Sequence, residues 1–232
     1  MKRFALTCAL TAVMLMTAAC SGNENTQTQT ETTTEISTET ADETAAAAAD
    51  ENEAAGKILI AYFSWAGNAE NGDVDAVTSA SIVNDNYHIA ADFVEQATKG
   101  DLFEIKTAEG YPVEYNATTD VAAEEQDQNA RPELTSHVEN MDDYDTVVLI
   151  YPNWWGTIPM AAGTFLEEYD FTGKTVLPLC TNEGSGMGTS EDDIKALIPD
   201  ATLAEGLAVR GGSVDSSQED INNWLKDNGI IS

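Results

Sequence analysis

From Lys57 onward the sequence predicts a doubly wound α/β domain, and three observations carry the prediction. Apolar runs alternate strictly with amphipathic segments, five of each. The runs at 57–63 and 146–151 are almost continuously apolar, as central parallel strands covered on both faces require. Residues that favour turns or close backbone approach follow the first, third and fourth runs, where an open sheet of this kind binds its ligands.

The chain reads in order as follows. Lys2 and Arg3 precede an uncharged, largely apolar stretch from Phe4 to Ala19, the pattern of an export signal over 1–19. That stretch is shorter than the roughly 20 residues a membrane-spanning helix needs. Thr17-Ala18-Ala19-Cys20 resembles the bacterial lipobox, with Thr where Leu is usual. The resemblance implies a diacylglyceryl group on Cys20, and two acyl chains hold a protein on a membrane where one does not. Cleavage after Ala19 without lipidation is the alternative. Residues 20–56 form a Thr-, Glu-, Gln- and Ala-rich stretch in which Ile36 is the only large aliphatic residue, so the reading is a disordered spacer reaching roughly 30 Å.

Predicted strands then lie at 57–63, 102–106, 146–151, 175–180 and 202–209. Helical patterns fill the intervals at 88–98, 116–129, 159–169, 190–197 and 217–228. The hydroxyls and carboxylates of Thr189 to Asp193 read as a helix start, as do Ser216 or Ser217 with Glu219 and Asp220. With 232 residues and the tail set aside, 57–232 makes one domain.

The chain has 10 Lys and Arg against 41 Asp and Glu, a net charge of −31, and no basic cluster to neutralise phosphates. Nucleic acid is therefore excluded as a partner. Cys8 leaves with the signal and Cys20 is taken by lipid, so Cys180 stands alone, without an intrachain disulfide or a Cys-based zinc site. Its apolar strand setting marks it as a small buried hydrophobe.

Three loops hold the candidate site. Ser64-Trp65-Ala66-Gly67-Asn68 follows the first strand and offers backbone N–H groups to an anion, without the Lys of a P-loop or the glycines of a dinucleotide fingerprint. Pro152-Asn153-Trp154-Trp155-Gly156 follows the third strand, and its two indoles cannot both enter a core, so one offers a flat stacking face. Thr181-Asn182-Glu183-Gly184-Ser185-Gly186 follows the fourth, with glycines that let backbone approach a ligand edge.

Taken together, Tyr62-Phe63-Ser64-x-x-Gly67-Asn68, Tyr151-Pro152-Asn153-Trp154-Trp155-Gly156-Thr157-x-Pro159 and Thr181-x-x-Gly184-Ser185-Gly186-x-Gly188 resemble the flavodoxin family, especially its exported bacterial members. The resemblance implies a flavodoxin-like five-stranded parallel sheet in the order 2-1-3-4-5 and electron transfer through noncovalently bound FMN. It implies that the first loop holds the phosphate and the other two hold the isoalloxazine. Ala69 replaces the usual Thr, and a polar insertion runs on to about Asn86, within which Thr78, Ser79 or Ser81 are candidates to return a hydroxyl. Stacking by Trp154 or Trp155 favours the oxidised ring, and an acidic, base-poor site lowers the reduction potential.

Redox partner proteins or membrane electron carriers are the expected partners, with membrane attachment through the lipid anchor only. The rival readings are an FMN-dependent NAD(P)H or quinone reductase on the same fold and a non-redox ligand-binding lipoprotein. Hydrolase chemistry lacks support, because neither Ser64 nor Ser185 sits in a Gly-x-Ser-x-Gly elbow.

Overall fold

The computed structural model describes residues 56–70 and 86–232. The predicted export signal, Cys20, the 20–55 stretch and residues 71–85 of the polar insertion, with Thr78, Ser79 and Ser81, lie outside the described residues.

The strands are β1 (Ile58–Tyr62), β2 (Asp101–Glu104), β3 (Thr146–Pro152), β4 (Thr175–Asn182), β5 (Thr202–Leu203) and β6 (Leu207–Arg210). The helices are α1 (Trp65–Asn68), α2 (Asn86–Thr98), α3 (Tyr115–Asp127), α4 (Met160–Glu168), α5 (Ser190–Leu197) and α6 (Gln218–Asp227). The sheet is parallel with the order β2-β1-β3-β4-β5, and β6 pairs with β4. This is the flavodoxin-like order expected.

Alternation along the strands sorts the core into two layers. Leu59, Ala61 and Phe63 join Val147, Leu149, Tyr151, Val176 and Cys180 on one face, beneath α3, α4 and α5. Ile58, Ile60 and Tyr62 join Val148, Ile150, Leu177 and Leu179 on the other, beneath α2 and α6. Each such aliphatic side chain contributes about 1.5–3 kcal/mol by leaving water. Every residue of β1 and β3 is buried, which is why these two runs lack polar alternation.

The fifth predicted strand, 202–209, is divided in two. Thr202 and Leu203 pair with Thr175 and Val176, whereas Leu207 pairs with Leu179, so the edge carries one residue more than β4 across the break. Pro178 explains it. Val176 presents its carbonyl to Ala204 N at 2.9 Å on this edge, and alternation turns the nitrogen of Pro178 the same way with no hydrogen to donate. The edge strand bulges past the proline, and a β-carbon on Gly206 would meet Pro178 Cγ at 3.1 Å.

The two helix starts are placed correctly, but their hydroxyls do not cap. Neither Thr189 nor Ser217 accepts a capping bond from a backbone N–H of its helix. Thr189 Oγ1 donates forward to the Asp193 carboxylate at 2.7 Å, and Ser217 Oγ donates back to Val214 O at 2.8 Å, a carbonyl the preceding turn leaves in reach. The carboxylates of Glu191, Asp192, Asp193, Glu219 and Asp220 do occupy the first turns, where the helix dipole favours them.

Candidate functional site

The first loop is a helical turn held from within. Ser64 is buried and its Oγ accepts from Gly67 N at 3.1 Å. Asn68 uses its whole side-chain amide: Nδ2 donates to Ser64 O (2.8 Å) and Ile105 O (3.0 Å), while Oδ1 accepts from Thr107 N (2.8 Å) and Thr107 Oγ1 (3.1 Å). Asn68 is therefore a clamp between the ends of β1 and β2, with no donor left for a ligand. Trp65 is fully buried and its indole donates to Pro112 O at 3.0 Å, so its side chain serves the core and not a ligand. What Trp65 and Ala66 can offer an anion is first-turn backbone N–H.

Past the third strand, the two tryptophans separate. Trp154 is 8% exposed and meets Phe63 and Tyr111 edge to face, with centroids 5.3 and 5.1 Å away. Trp155 is 60% exposed. Reciprocal backbone bonds between Trp154 and Thr157 close a two-residue turn over Trp155 and Gly156, whose φ values are 52° and 89°. Both lie in the left-handed region, as in a type I′ turn. Gly adopts it freely, but a bulky Trp does so at a cost of order 1–3 kcal/mol, the kind of strain that persists where a side chain must be presented outward.

The loop after β4 is shaped by Asn182, whose Oδ1 accepts from Gly184 N (2.8 Å) and Gly186 N (3.1 Å). Asn153 ties this loop to the Trp turn: its Nδ2 donates to Gly186 O at 3.0 Å and its Oδ1 accepts from Gly156 N at 2.9 Å. Gly188, at φ 60°, lets the two loops touch, since a β-carbon there would fall 2.0 Å from Gly156 O.

Between these loops and α3 lies a cavity of about 470 Å³. Pro152, Asn153, Trp154, Trp155, Gly156, Thr181, Glu183 and Ser185 line it, so eight of the sequence-predicted residues converge on one space. Gly184 and Gly186 belong to the bordering loop without lining the cavity, and none of Ser64, Trp65, Ala66, Gly67 or Asn68 reaches it. Sequence reasoning missed Tyr115, Thr118, Thr119 and Ala122 of α3, which form the opposite wall. Their spacing was the available signal: one helical face with small residues at 118, 119 and 122 leaves room beside it. Trp155 Nε1 donates to Thr119 O at 2.9 Å, which joins the turn to that wall.

The lining is mostly neutral and apolar, with hydroxyl and amide groups of Thr118, Thr119, Asn153, Thr181, Asn182 and Ser185 and a single charged residue, Glu183. Thr181 Oγ1 is buried without a well-formed hydrogen bond, with the Tyr87 hydroxyl beside it. Burial pushes the Cys180 thiol up to about 12, so it is an inert neighbour of the site and no thiolate. A second cavity, of about 480 Å³, lies between β6 and α6 and is lined by Glu205, Asp220 and Asp227 together with Arg210.

A family model described as flavodoxin matches residues 57–228, which is most of the chain and the whole of the sheet. The chain belongs to the flavodoxin family. A structure of a candidate flavoprotein from Bacteroides eggerthii DSM 20697 is 30% identical, covers 74% of this chain and 97% of its own, and superposes with a TM-score of 0.58. One from Bacteroides uniformis ATCC 8492 is 28% identical over 74% of this chain and 99% of its own, also at 0.58. A flavoprotein in complex with FMN from Lactobacillus acidophilus NCFM shares the fold at 20% identity, 72% and 98% coverage and a TM-score of 0.52. Among curated proteins none matches significantly. In this flavodoxin-family chain, then, two of the three loops singled out in the sequence enclose a slot.

Proposed function

We propose that this chain binds FMN noncovalently, with the isoalloxazine in the cavity between the Trp154–Thr157 turn, α3 and the Thr181–Gly186 loop, and serves as an electron-transfer flavoprotein. The observation that carries this reading is Trp155: a strained, exposed indole at the mouth of a slot of about 470 Å³ whose lining is neutral apart from Glu183. A flat heteroaromatic ring suits such a slot, since the indole supplies a stacking face and the surrounding amides and hydroxyls supply edge contacts.

The residues present fit the group. Thr181 lines the cavity with its Oγ1 buried beside the Tyr87 hydroxyl, and the glycines at 184 and 186 let backbone approach. The phosphate falls to backbone N–H groups of the Ser64–Asn68 turn and to the Ser64 hydroxyl hydrogen, because the Asn68 amide is already engaged and Ser64 Oγ is used only as an acceptor. When bound, FMN supplies the redox chemistry; the chain orients it, excludes water from one ring face and tunes its charge.

The reading extends to place. Lipidated Cys20 tethers the domain outside the cytoplasmic membrane, and redox proteins or membrane electron carriers exchange electrons with it. The lipobox-like Thr17-Ala18-Ala19-Cys20 and the polar 20–56 spacer support this.

An absorbance spectrum of the purified chain, incubated with FMN and desalted, tests the cofactor. Retained flavin bands support the reading, and a colourless protein that leaves FMN fluorescence unquenched rejects it. Labelling with radioactive palmitate in a lipoprotein-processing bacterial host, lost in Cys20→Ser, tests the anchor; an unlabelled wild-type chain rejects it.

A further inference from the structure

Arg210 is the last residue of β6, and its register neighbour on β4 is Asn182, the residue that shapes the cavity loop. A β-carbon built on Gly184 of that loop would lie 2.9 Å from Arg210 Nη2, so the guanidinium rests against the loop's glycine. Gly184, at φ 125°, takes a backbone conformation other residues rarely adopt, and a side chain there would meet the guanidinium.

Five other described cations are engaged, while Lys99 and Lys226 show no side-chain partner among the described residues. Lys57, Lys106 and Arg131 pair with Asp101, Glu104 and Glu167. Lys174 donates to the carbonyls of Met141 and Tyr144, and Lys195 to those of Pro199 and Ala201. Arg210 makes no ion pair and no side-chain hydrogen bond among the described residues, although Glu205, Asp220 and Asp227 line the same neighbouring cavity. In a chain of net charge −31, an unpaired guanidinium behind the loop of a cavity with one charged lining residue, Glu183, is a placed charge.

We propose that Arg210 is an electrostatic positioning residue that stabilises the reduced form of the bound flavin relative to the oxidised form. The inference rests on the FMN reading above. Two-electron reduction with uptake of one proton adds one negative charge to the bound group, and a cation across the Asn182–Gly186 loop favours that state. The chain's general acidity acts in the opposite direction, so Arg210 offsets part of the low potential that acidity imposes. At an effective dielectric of about 20, a unit charge about 10 Å away shifts an equilibrium about tenfold.

The test compares the full chain with R210Q and R210K. Dissociation constants for FMN are measured in the oxidised state and under dithionite, with the midpoint potential read by spectroelectrochemistry. Arg210 is exposed and unpaired, so R210Q leaves the fold intact, which circular dichroism checks. The expected result is that R210Q weakens binding of reduced FMN about tenfold more than oxidised FMN and lowers the midpoint potential, while R210K restores most of both. Equal weakening of the two states, or an unchanged potential with flavin retained, overturns the proposal. A wild-type chain that binds no FMN overturns the underlying FMN reading instead, and the two failures are told apart by the wild-type spectrum alone.

Discussion

The indole nitrogen of Trp155 donates to the carbonyl oxygen of Thr119 at 2.9 Å, and through that one bond the turn after β3 reaches across the cavity to α3. Its neighbour Trp154 points the other way, into a three-ring cluster with Phe63 and Tyr111. Adjacent residues of the same type thus have separable roles, one in binding and one in stability.

Single substitutions separate them. Trp155→Ala removes the stacking face and weakens FMN binding by about 10–100-fold while leaving the unfolding midpoint nearly unchanged. Trp154→Ala empties a buried site and costs about 3–5 kcal/mol of stability. Fluorescence titration and urea denaturation of both variants read the two effects; a Trp155→Ala variant that is the less stable of the two contradicts the assignment.

Asn68→Ala leaves the carbonyls of Ser64 and Ile105 and the N–H of Thr107 without their partner. The expected loss is about 2–4 kcal/mol, read by denaturant unfolding. Asn68→Asp is at least as damaging, because a carboxylate faces two carbonyl oxygens with no donor. A neutral outcome for both would show that the clamp is dispensable.

Gly188→Ala puts a β-carbon at φ 60° and 2.0 Å from Gly156 O, so the Trp turn must move away from α5. The left-handed conformation alone costs an alanine about 1–2 kcal/mol. Affinity for FMN falls together with thermal stability in this variant, whereas Gly212→Ala, with nothing near its β-carbon and an ordinary φ, changes neither.

Glu125 supplies a pH dependence. Burial holds its carboxyl above the ordinary carboxylate range, against the opposing hydrogen bond from the Tyr111 hydroxyl at 3.0 Å. The folded state therefore binds the proton more tightly than the unfolded chain. Stability from this group is full below the ordinary carboxylate pKa and is lost as pH rises through the raised one. Glu125→Gln keeps an acceptor for Tyr111 and removes the charge. Unfolding free energies across the acid-to-neutral range should show the variant gaining on the wild type as pH rises, and parallel curves would contradict this.

Much of the architecture was legible because its signals are local. The continuous apolar runs of β1 and β3, the helix starts of α5 and α6 and the turn residues after β1, β3 and β4 all lie within a few residues of each other in sequence. The break at Pro178 was not, since a missing N–H matters only once the edge strand that faces it is known. The same holds at the site. The Trp and glycine loops announced the cavity, but which indole turns outward depends on Phe63 and Tyr111, distant residues that fill one side. Asn68 reads as a ligand-binding residue by its motif, and only the approach of Ile105 and Thr107 shows its amide to be fully used.

The indole N–H resonances of the four tryptophans, followed as FMN is added, test the site most directly. Trp65 and Trp224 are tied to Pro112 O and Glu205 O in the protein interior and should stay in place. The Trp155 resonance should shift strongly through the ring current of a stacked isoalloxazine, saturating at one equivalent. An unmoved Trp155 signal in the presence of bound FMN would place the cofactor elsewhere and contradict the stacking assignment.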